Sequence, residues 1–122
     1  MTRKKILLVD DAETVLLMER MILGKSYDLV IARDGQEAVA KAASESPDLI
    51  LLDVLMPGID GFQACKQIRG DTRAGDVPII MVTTRGEPEN MENGFRSGCT
   101  DYVSKPFTGA ELLSKVKHYL GQ

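Results

Sequence analysis

Apolar residues gather along this chain in short runs: KILLV (5–9), DLVIA (28–32), DLILL (48–52), PIIMV (78–82) and DYVS (101–104). Several are apolar almost without alternation, as in strands covered on both faces. Between them lie stretches with a helical rhythm and clear start signals. Asp34-Gly35-Gln36-Glu37 and Thr108-Gly109-Ala110-Glu111 read as capping boxes, and Asp60-Gly61-Phe62-Gln63 has the same spacing. Pro88 suits the first turn of a fourth helix, about Pro88 to Arg96, and Gly98 suits its stop. In the last helix Leu112, Leu113, Val116 and Leu120 share one face.

Five strands alternating with five helices predict an α/β fold, a parallel sheet with helices on both sides joined by right-handed crossovers. In such open sheets ligands bind beyond the carboxyl ends of the strands. Those ends carry the chemistry. The first run ends in Asp10 and Asp11, the third in Asp53, the fourth in Thr83 and Thr84, and the fifth in Lys105.

Composition narrows the classes. The 122 residues form one domain, 1–122, with no repeat, low-complexity segment or linker, and no output domain is expected. A net charge of −3 argues against a dedicated nucleic-acid binder. No apolar run approaches a membrane span, and the stretch after the basic start MTRKK is too short for a signal peptide. A cytoplasmic protein with no membrane partner is expected. Cys65 and Cys99 show no metal or disulfide spacing and read as buried fillers; Cys65 shares a helical face with Phe62 and Ile68. His118, the only histidine, sits near a helix C-terminus, where a cation suits the macrodipole.

Taken singly, each strand-end residue has an ordinary explanation. An acid pair after a strand caps a helix, Asp before Pro-Gly serves a turn, Thr suits a strand, and Lys before Pro is a solvated side chain. Converging on one rim, they suggest a hard-cation site. Acidic oxygens with no soft ligand nearby fit magnesium, which keeps waters and shares a phosphate. Such a cation offsets repulsion among the acids. Lys105 then supplies a second positive charge toward an incoming phosphoryl group and Thr83 a hydrogen-bond donor. Asp53 is left to act as nucleophile and form an acyl phosphate.

With KILLVDD, DLILLDVLMPGIDGF, PIIMVTT and DYVSKPF in place, the whole chain resembles a response-regulator receiver domain of the stand-alone, chemotaxis-like type. The resemblance implies a flavodoxin-like doubly wound (βα)5 fold with strand order 2-1-3-4-5. It implies Asp53 as phosphoacceptor, Asp11 as direct ligand of Mg2+, Asp10 holding the metal through water, and the backbone carbonyl of Leu55 as a further ligand. Thr83 corresponds to the switch hydroxyl, Lys105 to the phosphate-pairing lysine with a cis peptide to Pro106, and Tyr102 to the switch aromatic. Thr83 and Tyr102 are expected at the same end of the sheet as Asp53. The implied partner is a sensor histidine kinase or phosphotransfer protein. The implied output is a protein-interaction face of helix 4, strand 5 and helix 5, on a monomer or weak dimer that is not an enzyme in the ordinary sense. Thr84 departs from the small residue the family favours there, and Leu55 and Arg85 occupy positions the family varies to tune dephosphorylation.

Three rivals are weighed against this. A haloacid-dehalogenase-type phosphatase would carry D-x-D, whereas Asp53 is followed by Val54 and Leu55. A flavin binder would need a hydroxyl- and glycine-rich loop where DDAET stands. A receiver-fold interaction module without phosphorylation should lack one of the strand-end residues, and all are present. The chain also fits the receiver portion of a longer regulator.

Overall fold

A computed structural model describes residues 3–54, 56, 58–84 and 88–122, with the backbone alone at 84 and 88–91. Among the described residues the elements alternate strictly: β1 (Lys5–Val9), α1 (Glu13–Leu23), β2 (Asp28–Ala32), α2 (Gly35–Glu45), β3 (Leu49–Asp53), α3 (Gly61–Gly70), β4 (Ile79–Thr84), α4 (Pro88–Ser97), β5 (Asp101–Lys105) and α5 (Gly109–Tyr119). The strands form one parallel sheet in the order β2-β1-β3-β4-β5. This is the doubly wound α/β architecture the sequence predicts.

Two apolar clusters sandwich the sheet. Leu7, Val9, Ile50, Leu52 and Met81 meet α2 and α3 through Ala38, Ala42, Ala64, Cys65 and Ile68. On the other face Ile6, Leu8, Leu49, Leu51, Ile80 and Val82 meet α1 and α5 through Leu16, Leu23, Leu112 and Val116. Adjacent strand residues thus feed opposite clusters, which is why the central runs have no polar alternation. Cys65 and Cys99 are both buried thiols in the first cluster, as expected.

The N-cap half of each expected cap forms. Asp34, Asp60 and Thr108 accept hydrogen bonds from the backbone N–H of Glu37, Gln63 and Glu111 at 2.8, 2.9 and 3.1 Å. α4 begins at Pro88 and ends one residue beyond the expected Arg96, before Gly98 at φ +101°.

Strand limits differ from the sequence reading in an informative way. Asp48 stays outside β3, where its carboxylate accepts from the Lys5 N–H at 2.8 Å. Pro78, with no N–H to donate, precedes β4. At the other end, Asp53, Thr83, Thr84 and Lys105 close their paired strands, where the sequence reading places them.

Candidate functional site

Alternation along the strands builds one side of the site. Asp10 follows Ile6 and Leu8, Asp53 follows Leu49 and Leu51, and Lys105 follows Val103, all in columns that face α1 and α5. The apolar residues below hold each polar side chain at the rim. Lys105 Nζ donates to Asp10 Oδ2 at 3.1 Å and to Asp53 Oδ1 at 3.2 Å. Oxygens of Asp10, Asp11 and Asp53 all lie within 4.8 Å of one another. Asp10 and Asp53 are buried, and Asp11 is exposed.

Neither acid of the pair caps α1. The N-cap is Ala12, without a side-chain bond, and Asp10 Oδ1 accepts from the Ala12 N–H at 2.9 Å. The backbone also fits tightly behind Asp53. A Cβ on Gly61 would lie 2.3 Å from the Asp53 carbonyl oxygen, so only glycine lets α3 start there. The Gly61 N–H donates to Val54 O at 2.8 Å.

Burial, then the neighbouring Asp10, pushes the Asp53 carboxyl up to about 6 against the pull of Lys105. Burial pulls Lys105 down, but the carboxylates of Asp10 and Asp53 more than offset it and hold the ammonium above the ordinary lysine value. Three carboxylates facing one ammonium leave excess negative charge. All the donors are hard oxygens, with no nitrogen or sulfur, so the set fits a small divalent cation such as magnesium.

Thr83 is buried in β4, opposite Ser104 in register, and follows Met81 on the α3 side of the sheet. Tyr102 is not at the rim. It pairs with Met81, two residues below the level of Thr83, roughly 7 Å along the strand. Its ring packs edge-on against Phe95 of α4, centroids 5.9 Å apart at 79°, and Lys115 Nζ lies 5.8 Å from its centroid. Leu55 and Arg85 lie outside the described residues, as does the side chain of Thr84. The Lys105–Pro106 peptide is cis.

The sequence profile of the response regulator receiver domain matches residues 6–117. The chain belongs to this family. The alkaline phosphatase synthesis transcriptional regulatory protein PhoP of Bacillus subtilis is 42% identical over 118 residues, covering 96% of this chain and 48% of that protein. The receiver chain thus spans about half the length of that curated relative. Among solved structures, chemotaxis protein CheY4 of Vibrio cholerae superimposes with a TM-score of 0.91 at 34% identity, covering 97% of this chain and 99% of that one. The receiver domain of sensor histidine kinase PA1611 of Pseudomonas aeruginosa, which has magnesium coordinated in its active-site cleft, gives 0.92 at 32% identity, covering 99% and 100%. Receiver domains are phosphoacceptor signalling domains that work with histidine kinases or phosphotransfer proteins. Among the described residues no helix is long and apolar enough to cross a membrane.

One residue of this receiver went unread in the sequence. Glu19, on α1 between Leu16 and Leu23, is buried with 2% exposure, and its Oε1 has no hydrogen-bond partner. Burial first, then the charge of Asp10, raises its carboxyl to about 8, with Lys105 opposing and Asp53 adding. Its position on an apolar stripe was the available signal.

Proposed function

We propose that this receiver accepts a phosphoryl group on Asp53 from a phosphohistidine of a sensor histidine kinase or phosphotransfer protein, with magnesium. The observation that carries the reading is the Lys105 ammonium held between Asp10 and Asp53 inside a cluster of three carboxylates. An Asp53 oxygen forms the new bond to phosphorus as the bond from phosphorus to the imidazole nitrogen breaks. The imidazole leaves with that electron pair, neutral when its other nitrogen carries a proton. Asp53 must be ionised to attack, which its pKa of about 6 secures near neutral pH.

Asp10, Asp11 and Asp53, with the Leu55 carbonyl, would hold the divalent cation, which would supply charge neutralisation between the two anions. Lys105 pairs with one phosphoryl oxygen. Thr83 donates to another and in doing so draws its end of β4 toward the site. The output face is α4, β5 and α5, where Phe95 is half exposed beside Tyr102. The signal leaves by contact with a target protein in the cytoplasm, with no step on nucleic acid.

The first reading is a single-domain regulator, monomeric or weakly dimeric; the match to nearly all of the CheY4 chain supports its single-domain part. The half-length match to PhoP favours the second reading, the receiver portion of a longer regulator. The test of the site is intact mass after incubation with a phosphohistidine donor and magnesium. Wild type gains one phosphoryl group and Asp53→Asn does not; equal labelling of both overturns the assignment.

A further inference from the structure

At the end of the sheet away from the acid cluster, Arg69 of α3 closes a different network. Its Nε donates to Gly98 O at 2.8 Å, Nη1 to Gly75 O at 3.1 Å and to Val77 O, and Nη2 to Thr100 Oγ1 at 3.2 Å. Thr100 Oγ1 in turn accepts from the Ile79 N–H at 3.0 Å, and the Thr100 N–H donates to Ile79 O at 2.7 Å. One guanidinium therefore ties the end of α3, the 75–77 segment and the residues that follow α4 to the first residue of β4.

The fit around it is close. Gly98 has φ +101°, and a Cβ there would lie 2.9 Å from Arg69 Cγ. Gly98 N–H donates back to Phe95 O and Cys99 N–H to Gly94 O, both at 3.1 Å, so the last turn of α4 is continuous with the network. An ammonium cannot replace a planar fork that reaches four acceptors on two segments, 75–77 and 98–100. The opposite end of α4 lies near the end of β4 in sequence. Pro88 is the fourth residue after Thr84, and β4 spans roughly 17 Å between Ile79 and Thr84.

We propose that Arg69 is a positioning residue that holds the Ser97 end of α4 as a fixed pivot. A displacement at Thr83 then swings the Pro88 end and the face carrying Phe95, instead of sliding the whole helix. This deepens the proposed switch and rests on it for the direction of signalling. The anchoring itself is a property of the free protein.

The test is amide hydrogen exchange along residues 88–105 of the full chain, free and saturated with fluoroberyllate, a phosphoryl mimic, with binding followed separately by fluorine NMR. In free wild type, Gly98, Cys99 and Thr100 exchange slowly relative to the first turn of α4. Arg69→Lys speeds those three about tenfold or more, the effect of losing a buried hydrogen bond, while exchange in β1 and β3 is unchanged. Thr100→Val does the same and Thr100→Ser restores protection, which keeps the test valid if Arg69→Lys fails to fold. With fluoroberyllate bound, the wild-type change is confined to the first turns of α4 and to β5, whereas in Arg69→Lys it reaches Gly98. Uniform exchange along α4 in the free wild type, or an Arg69→Lys effect spread evenly over the whole protein, overturns the pivot. Failure of wild type to bind the mimic overturns the proposed phosphoacceptor site instead, and the free-protein arm still decides the pivot.

Discussion

Lys105 Nζ lies 3.2 Å from Asp53 Oδ1, a pair closed across 52 residues of chain by the pairing of β3, β4 and β5. The same ammonium holds Asp10, so it is the main local counterweight to the acids. Removing one partner of a buried pair leaves the others uncompensated. Lys105→Met should therefore lower stability by about 3 kcal/mol in magnesium-free buffer, and added magnesium should recover part of the loss. Lys105 also holds the Asp53 pKa down, so the variant should titrate Asp53 above about 6 and need higher pH for phosphorylation. Carbon-detected NMR of the Asp53 carboxyl reads this; an unmoved midpoint would show that the pair is incidental.

Magnesium should stabilise the fold by mass action, since the metal binds only the folded cluster. The gain approaches about 2.7 kcal/mol at a hundredfold excess over Kd. Asp11 is exposed and supports no part of the core, so Asp11→Asn should fold normally and lose most of that gain. The measurement is thermal unfolding across a magnesium titration. If wild type and variant respond alike, the carboxylates are not the ligands.

Glu19 sets a pH dependence of its own. Its folded pKa of about 8 lies above the ordinary value of 4.5, so the folded state keeps a proton that the unfolded state releases. Stability therefore falls as pH rises from about 4.5 to about 8, at up to ~1.4 kcal/mol per pH unit, and levels off above. Asp53 adds the same sign between 3.8 and about 6. Glu19→Gln, neutral throughout, should flatten the slope between pH 6 and 8 and raise stability at pH 8. Urea unfolding in a metal chelator over that range decides it, and parallel curves for the two proteins would refute the buried neutral acid.

The elements and most of the site were legible in the sequence for physical reasons. β1, β3 and β4 are covered on both faces, so they read as apolar runs, and Asp34, Asp60 and Thr108 announce helices whose first N–H groups need acceptors. Asp10, Asp53 and Lys105 end such runs, where buried charge requires a partner. Other features left no such mark. Register between strands joined through helices depends on three-dimensional packing, so the level of Tyr102 beside Met81 was not readable. Arg69 reaches mostly backbone carbonyls, which any residue supplies. Glu19 reads as a polar interruption of an apolar face until its burial is seen.

The step between Thr83 and Tyr102 governs the last prediction. Tyr102 sits two residues below Thr83 in register, so the proposed switch has to act across two levels of the sheet. We take α4 as the route, because its Phe95 ring packs edge-on against Tyr102 while Lys115 lies over the same ring. Lys115 is also fixed at 3.0 Å to Asp101, which accepts from the Tyr119 hydroxyl at 2.7 Å, so the α5 side of Tyr102 is the restrained one. Movement is then expected on the Phe95 side. Phe95→Ala should leave fluoroberyllate binding at Asp53 within about twofold, since Phe95 is half exposed and remote from the acids, yet remove most of the ligand-induced shift at the Tyr102 amide. Thr83→Ala should bind the mimic and move neither ring. Amide and ring NMR shifts of the three proteins at saturating fluoroberyllate measure both effects. A full Tyr102 response in Phe95→Ala would show that the signal travels through β5 itself and not across the α4 contact.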